Sequence, residues 1–131
     1  SVEMVKEITL NYFADYKVSW KYDSAVGRYV RWVNGQKFIT AEGNTIYADN
    51  VLVELTEIKV IDEIGRRAIT TIGTGDGRAL REGKMIRGAW KKQNPADRTR
   101  FYDANNQEIP LTPGQTWVQI LPQNTVMEVT N

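Results

Sequence analysis

Turn signals recur at intervals of roughly 8–12 residues along this chain, and between them apolar and polar residues alternate with period two. Such spacing leaves strands of about five to nine residues joined by tight turns, and no room for a sequence of long helices. The cleanest case is Tyr16, Val18, Trp20 and Tyr22, which alternate with Lys17, Ser19 and Lys21. Asp23-Ser24-Ala25 turns that strand, and Val26 to Val33 continues as its partner. The partner ends in Asn34-Gly35, a pair that accepts positive φ at both positions and so closes a two-residue hairpin. Lys37 to Thr40 is the short return, and residues 41–50 form the longest irregular connection.

The rest of the chain repeats the pattern with local ambiguities. From Val2 to Tyr12 the even positions are apolar, with Val5 and Lys6 as exceptions to a single strand. Between Val51 and Ile61 helix and strand compete. Leu52, Leu55 and Ile58 have helical spacing, while Val51, Val53, Ile58, Val60 and Ile61 are β-branched and favour a strand with a bulge or bend near Thr56-Glu57. Glu63-Ile64-Gly65 turns it, and Arg67 to Ile72 returns. Asp76-Gly77 and Glu82-Gly83 read as two further hairpin turns between short strands. Met85 to Lys91, Arg98 to Tyr102 and Thr116 to Leu121 are the next strands, separated by a loop at Asn94-Pro95, the turn A-N-N-Q and a type II turn at Pro113-Gly114. Val126 to Val129 adds a last edge. The expected fold is all-β, a single antiparallel sandwich or barrel-like domain over residues 1–131, built of hairpins with little or no helix.

Composition excludes several chemistries. The chain has no cysteine and no histidine. Disulfides, thiolate metal sites, thiol nucleophiles, Ser-His-Asp triads and imidazole ligation are therefore ruled out together. Acid–base catalysis would fall to Asp, Glu, Lys or Tyr with environment-shifted pKa values. With 17 basic against 16 acidic residues, no global field points to nucleic acid, and a nucleic-acid-binding barrel is the weakest of the functional readings. The opening S-V-E-M-V-K-E-I lacks the basic and apolar succession of a signal peptide.

Several segments together resemble a family. W-K-Y-D at 20–23, Y-V-R at 29–31, A-D-N-V at 48–51, G-T-G-D-G-R-A to G-A-W-K-K at 73–92, R-F-Y-D-A-N-N-Q-E-I at 100–109 and P-G-Q-T-W-V-Q-I-L-P at 113–122 are similar to the C-terminal half of the YerB-like bacterial lipoproteins. The resemblance implies an extracytoplasmic domain, the C-terminal part of a longer lipoprotein, tethered to the membrane only through a lipidated N-terminus and preceded by a domain this chain lacks. The family's function is unknown, so the resemblance carries over no catalytic residue. Asn105-Asn106 departs from it where the family prefers Asn-Gly.

Candidate sites follow from residue chemistry. Gly73, Gly75 and Gly77 suggest a phosphate cradle, but no helix opens behind them and no Lys-Ser/Thr pair closes the loop, so they read as a turn. Asp103, Asn105 and Gln107 have the alternation of a calcium loop, yet the sixth position is Glu108 and the twelfth is Gly114, so a hairpin turn is expected and no metal. No cofactor is expected either. Tyr29 and Arg31 share one face of their strand, and Lys91, Arg98, Arg100 and Tyr102 gather within one loop of Trp90. Aromatic faces flanked by guanidinium groups suit a sugar ring, an anionic peptide or an unstacked base. These six residues are the candidate binding site of a non-catalytic interaction module, with a cell-envelope glycan or protein as partner. Trp20, Trp90 and Trp117 read as core. An alternative is a carboxylate-based glycan hydrolase using Glu54, Glu57 or Asp103, with Asp49, Asp62 and Glu63 nearby. The ordinary reading of Glu54 and Glu57 is that they point outward from their strand.

Overall fold

A computed structural model of the chain describes residues 2–13, 16–60, 67–69 and 72–131. In chain order its first strands are β1 (Val2–Met4), β2 (Glu7–Phe13), β3 (Tyr16–Asp23), β4 (Arg28–Val33), β5 (Gln36–Lys37), β6 (Tyr47–Ala48) and β7 (Asn50–Thr56). They are followed by β8 (Ile58–Val60), β9 (Arg67–Ile69), β10 (Gly73–Arg81), β11 (Lys84–Lys92), β12 (Arg100–Asp103), β13 (Thr116–Pro122) and β14 (Met127–Thr130). No helix occurs among the described residues, and the fold is all-β.

Two six-stranded sheets pack as a sandwich. The first runs β1-β11-β10-β7-β13, with β12 also paired to β11; the second runs β14-β2-β3-β4-β5, with β6 also paired to β4. Most neighbours are antiparallel, as expected for hairpin connections. The exception is β13, which lies parallel to β7 from Thr116↔Asn50 to Pro122↔Thr56. A parallel neighbour cannot be reached by a tight turn, and here the chain passes through five strands between the two.

The phase break at Val5-Lys6 is the point where the chain changes sheets. β1 pairs with β11 in the first sheet and β2 pairs with β3 in the second. Val5 itself is buried between them. Val51 to Thr56 is strand, and its regular run stops at Glu57, where β8 leaves to pair with β9 as a separate ribbon. Ile61, the Glu63-Ile64-Gly65 turn, Asp62 and the end of the return strand lie outside the described residues.

The core between the sheets takes Val51, Val53, Leu55, Leu80, Met85 and Leu121 from the first sheet and Ile8, Leu10, Val18, Trp20 and Tyr29 from the second. A second apolar layer covers the other face of the first sheet: Leu52, Ala79, Trp90, Phe101 and Ile109. β7 is therefore buried along its whole length, on both faces.

That second layer corrects the turn reading of G-T-G-D-G. Gly75 and Gly77 sit inside β10, opposite Trp90 and Gly88. A Cβ built on Gly75 would lie 2.5 Å from Trp90 Nε1 and 2.7 Å from the Leu55 carbonyl oxygen, and one on Gly77 would lie 3.0 Å from the Phe101 ring. The glycines leave room for two aromatic rings to lie flat across a strand. The real turns are Asn34-Gly35, with φ 50° and 80°, and Glu82-Gly83, with φ 52° and 77°, both of the hairpin-closing kind in which the two central residues have positive φ.

Candidate functional site

β11 and β12 are held in the register Lys91↔Arg100, Trp90↔Phe101 and Ala89↔Tyr102. Strand alternation then divides their side chains. Trp90 and Phe101 turn into the apolar layer, while Lys91, Arg100 and Tyr102 turn to the opposite face. With Arg98 from the preceding loop, and with Gln93 and Asp97, they line an open groove of about 360 Å³. Lys91 Nζ stands 4.6 Å from the centre of the Tyr102 ring and donates to Asn106 Oδ1 at 2.6 Å. Arg100 donates to Glu108 Oε1 at 2.8 Å, and Arg98 to Glu108 Oε2 at 3.4 Å. Glu108 thus aligns two guanidinium groups side by side, and the groove keeps an excess of donors over acceptors.

The other two expected site residues are elsewhere. The face that Tyr29 and Arg31 share is the one turned to the core. Tyr29 is fully buried, and its hydroxyl accepts the Gly83 N–H at 3.0 Å. Burial pushes its phenol pKa upward. It is a structural residue and presents nothing to a partner. Arg31 lies between the sheets, its guanidinium 5.1 Å from the Trp117 ring, 5.5 Å from Phe38 and 5.7 Å from Trp20, and it donates to Gln119 Oε1 at 3.1 Å. Gln119 also accepts the Trp20 indole N–H and donates to the Tyr12 hydroxyl, tying both sheets at one knot. Trp20 and Trp90 are core, as expected, and Trp117 is half-buried against Trp20 at 5.4 Å.

Asn106 and Glu108, which hold Lys91 and the two arginines from outside the groove's lining, were missed. The signal available was their place in the tight turn that returns the chain alongside β12, where an antiparallel bridge sets Glu108 opposite Tyr102. Asp103 accepts the backbone N–H groups of Asn105 and Gln107 through Oδ1, at 2.9 and 3.0 Å, so its carboxylate caps the turn. Asn106 takes the positive-φ position there, with φ 61°, which explains why Gly is the easier choice at that position.

Glu54 overturns its outward-pointing reading. It is 2% exposed, because the second apolar layer covers the face of β7 on which it lies. The row Glu54↔Gly77↔Gly88↔Asp103 places Glu54 and Asp103 three strands apart. At ~4.8 Å per strand their backbones stand roughly 14 Å apart, and the Asp103 carboxylate is turned to the N–H groups of its own turn. Burial raises the Glu54 pKa, with the Lys92 charge opposing. Because the folded value lies above the unfolded one, the stability contributed by the protonated form is complete below the ordinary carboxyl range and is lost as pH rises through the folded pKa. Glu54→Gln is accordingly expected to raise the melting midpoint near pH 7 and to gain almost nothing near pH 4. Thermal melts of both proteins across that pH window check it, and a variant less stable at both ends contradicts the assignment.

The molecule is thus a two-sheet, all-β sandwich domain whose polar grooves lie at strand ends and loops. Residues 8–118 match the family described as "Protein of unknown function (DUF3048) C-terminal domain", and the chain belongs to that family. Among solved structures, the YerB protein from Bacillus subtilis shares the fold, with a TM-score of 0.82 and 24% identity over 93% of this chain. This chain spans 43% of the length of that protein. No curated protein matches it. The family and the neighbour agree with the resemblance drawn from the sequence segments, and neither names an activity.

Proposed function

We propose that the domain is a non-catalytic binding module of an extracytoplasmic lipoprotein, and that Lys91, Arg98, Arg100 and Tyr102 hold an anionic group of a cell-envelope partner. One observation carries the reading: three cations and an aromatic ring converge on a single concave site, with Asp97 and Glu108 as the only acidic residues lining or aligning it among the described residues. The groups are preorganised by Asn106, Glu108 and the Tyr102 ring, which lowers the ordering cost of binding. The absence of His and Cys favours binding over catalysis.

Co-sedimentation with purified cell-wall sacculi tests this. Arg98→Ala/Arg100→Ala is expected to weaken retention at least about tenfold, and raising salt is expected to weaken the parent domain as well. Equal retention of parent and variant would remove the site assignment. Because both arginines are exposed at the surface, the variant is expected to melt with the parent.

A further inference from the structure

Two of the segments similar to the YerB-like proteins, A-D-N-V at 48–51 and P-G-Q-T-W at 113–117, form one device in three dimensions. Asp49 Oδ2 accepts the Gln115 N–H at 2.9 Å. The backbone N–H groups of Asp49 and Asn50 both donate to the Gln115 carbonyl, at 2.9 and 3.1 Å. The fully buried Asn50 donates to the Thr112 carbonyl at 2.7 Å and accepts the Thr112 N–H at 2.9 Å. The loop before β13 is thereby fixed against the loop before β7. Between them opens a groove of about 560 Å³, lined by Trp117, Tyr47, Arg28, Asp49 and Gln115 among others.

Apart from Asp49, which holds the Gln115 N–H and faces Arg28, three polar side-chain groups of this groove make no hydrogen bond within the chain. The indole N–H groups of Trp20 and Trp90 are bonded to Gln119 and Leu55. Among the described residues the Trp117 indole N–H, the Tyr47 hydroxyl and the Gln115 side-chain amide have no hydrogen bond, and none is sealed from solvent. The Arg28 side chain is half-exposed, 5.4 Å from the Tyr47 ring and 3.9 Å from Asp49 Oδ1. Its charge and that of Asp49 cancel, so the groove attracts neither a free anion nor a free cation strongly. It offers donors and acceptors on planar side chains beside two aromatic rings.

We propose that this groove binds a neutral sugar residue of a glycan. A pyranose has an apolar face that rests on an aromatic ring and a rim of hydroxyls that both donate and accept. Adjacent hydroxyls match a carboxylate, a guanidinium or an amide in bidentate fashion. An extended peptide is the poorer match, because it would be recognised through main-chain pairing along a strand edge, whereas the groups described here are side chains drawn from β4, β6, β13 and the loops before β7 and β13. The site shares no residue with the basic groove, so it stands or falls separately from the function proposed above.

Titration of 15N-labelled domain with neutral oligosaccharides, namely chitotetraose, maltotetraose and mannotetraose, reads the site directly. At least one is expected to shift the Trp117 indole resonance saturably at millimolar concentration, leaving those of Trp20 and Trp90 in place. Arg28→Ala/Gln115→Ala is expected to lower that affinity at least about tenfold, with an unchanged melting midpoint, while Arg98→Ala/Arg100→Ala binds the sugar as the parent does. The proposal is overturned if none of the three sugars shifts Trp117 up to about 10 mM. It is equally overturned if the Arg28/Gln115 variant binds unchanged, or if a neutral tetrapeptide competes as well as the sugar.

Discussion

Gly88→Ala is expected to cost about 4 kcal/mol or more, at the upper end of what a single added methyl group does to a β domain. Gly88 lies between two partners, opposite Gly77 on β10 and Asp103 on β12. A Cβ built there would collide with the Tyr102 carbonyl oxygen, and would stand 2.9 Å from the carbonyl carbon and 3.2 Å from Asp103 Cα. All three atoms are backbone, so no rotamer change relieves the contact. The only relief is to move β12 away from β11. That strand carries Phe101 into the second apolar layer and Arg100 and Tyr102 into the basic groove, so the substitution is expected to remove sacculus binding together with stability. Urea denaturation gives the free energy, and amide exchange shows whether β12 opens first. A loss of less than about 1 kcal/mol would mean that the β11–β12 contact is looser than described.

What the sequence revealed of this fold was what local chemistry decides. β3 and β4 follow from the alternation around Trp20, and the turns at Asn34-Gly35, Glu82-Gly83 and Asp103 to Gln107 follow from residues that accept positive φ or cap a turn with their own carboxylate. The parallel pairing of β13 with β7 has no local signature, since its partners are separated by five strands of chain. The same distance in sequence hid the use of Gly75 and Gly77. A glycine between polar residues looks like a turn until the rings that need the space, Trp90 and Phe101, are known to cross that strand. Glu54 followed the same logic, because alternation says which residues share a face and cannot say that both faces of β7 are covered. The basic groove was legible as Lys91, Arg98, Arg100 and Tyr102 because one hairpin register brings them together. Tyr29 and Arg31 were not separable from them by sequence, as their shared face is turned to the core.

The role assigned to the glycines makes a second, coupled result necessary. Trp90 is 1% exposed, lies across Gly75 and donates its indole N–H to the Leu55 carbonyl at 2.8 Å. Trp90→Ala removes the largest side chain of the second apolar layer and leaves that carbonyl without its donor, and is expected to cost about 4 kcal/mol. Gly75→Ala in the parent protein places a methyl group 2.5 Å from Trp90 Nε1 and 2.9 Å from Cε2, and is expected to cost about 3 kcal/mol through displacement of the ring. In the Trp90→Ala background the ring is gone, and of the three nearest atoms the Leu55 carbonyl oxygen, at 2.7 Å, still opposes the new Cβ. Gly75→Ala should then cost distinctly less than it does alone, giving a coupling of about 1–2 kcal/mol between the two sites. If Gly75 were instead required for backbone flexibility, its substitution would cost the same in both backgrounds. A double-mutant cycle from urea denaturation separates these outcomes, and strict additivity would return Gly75 to an ordinary weak position in a strand.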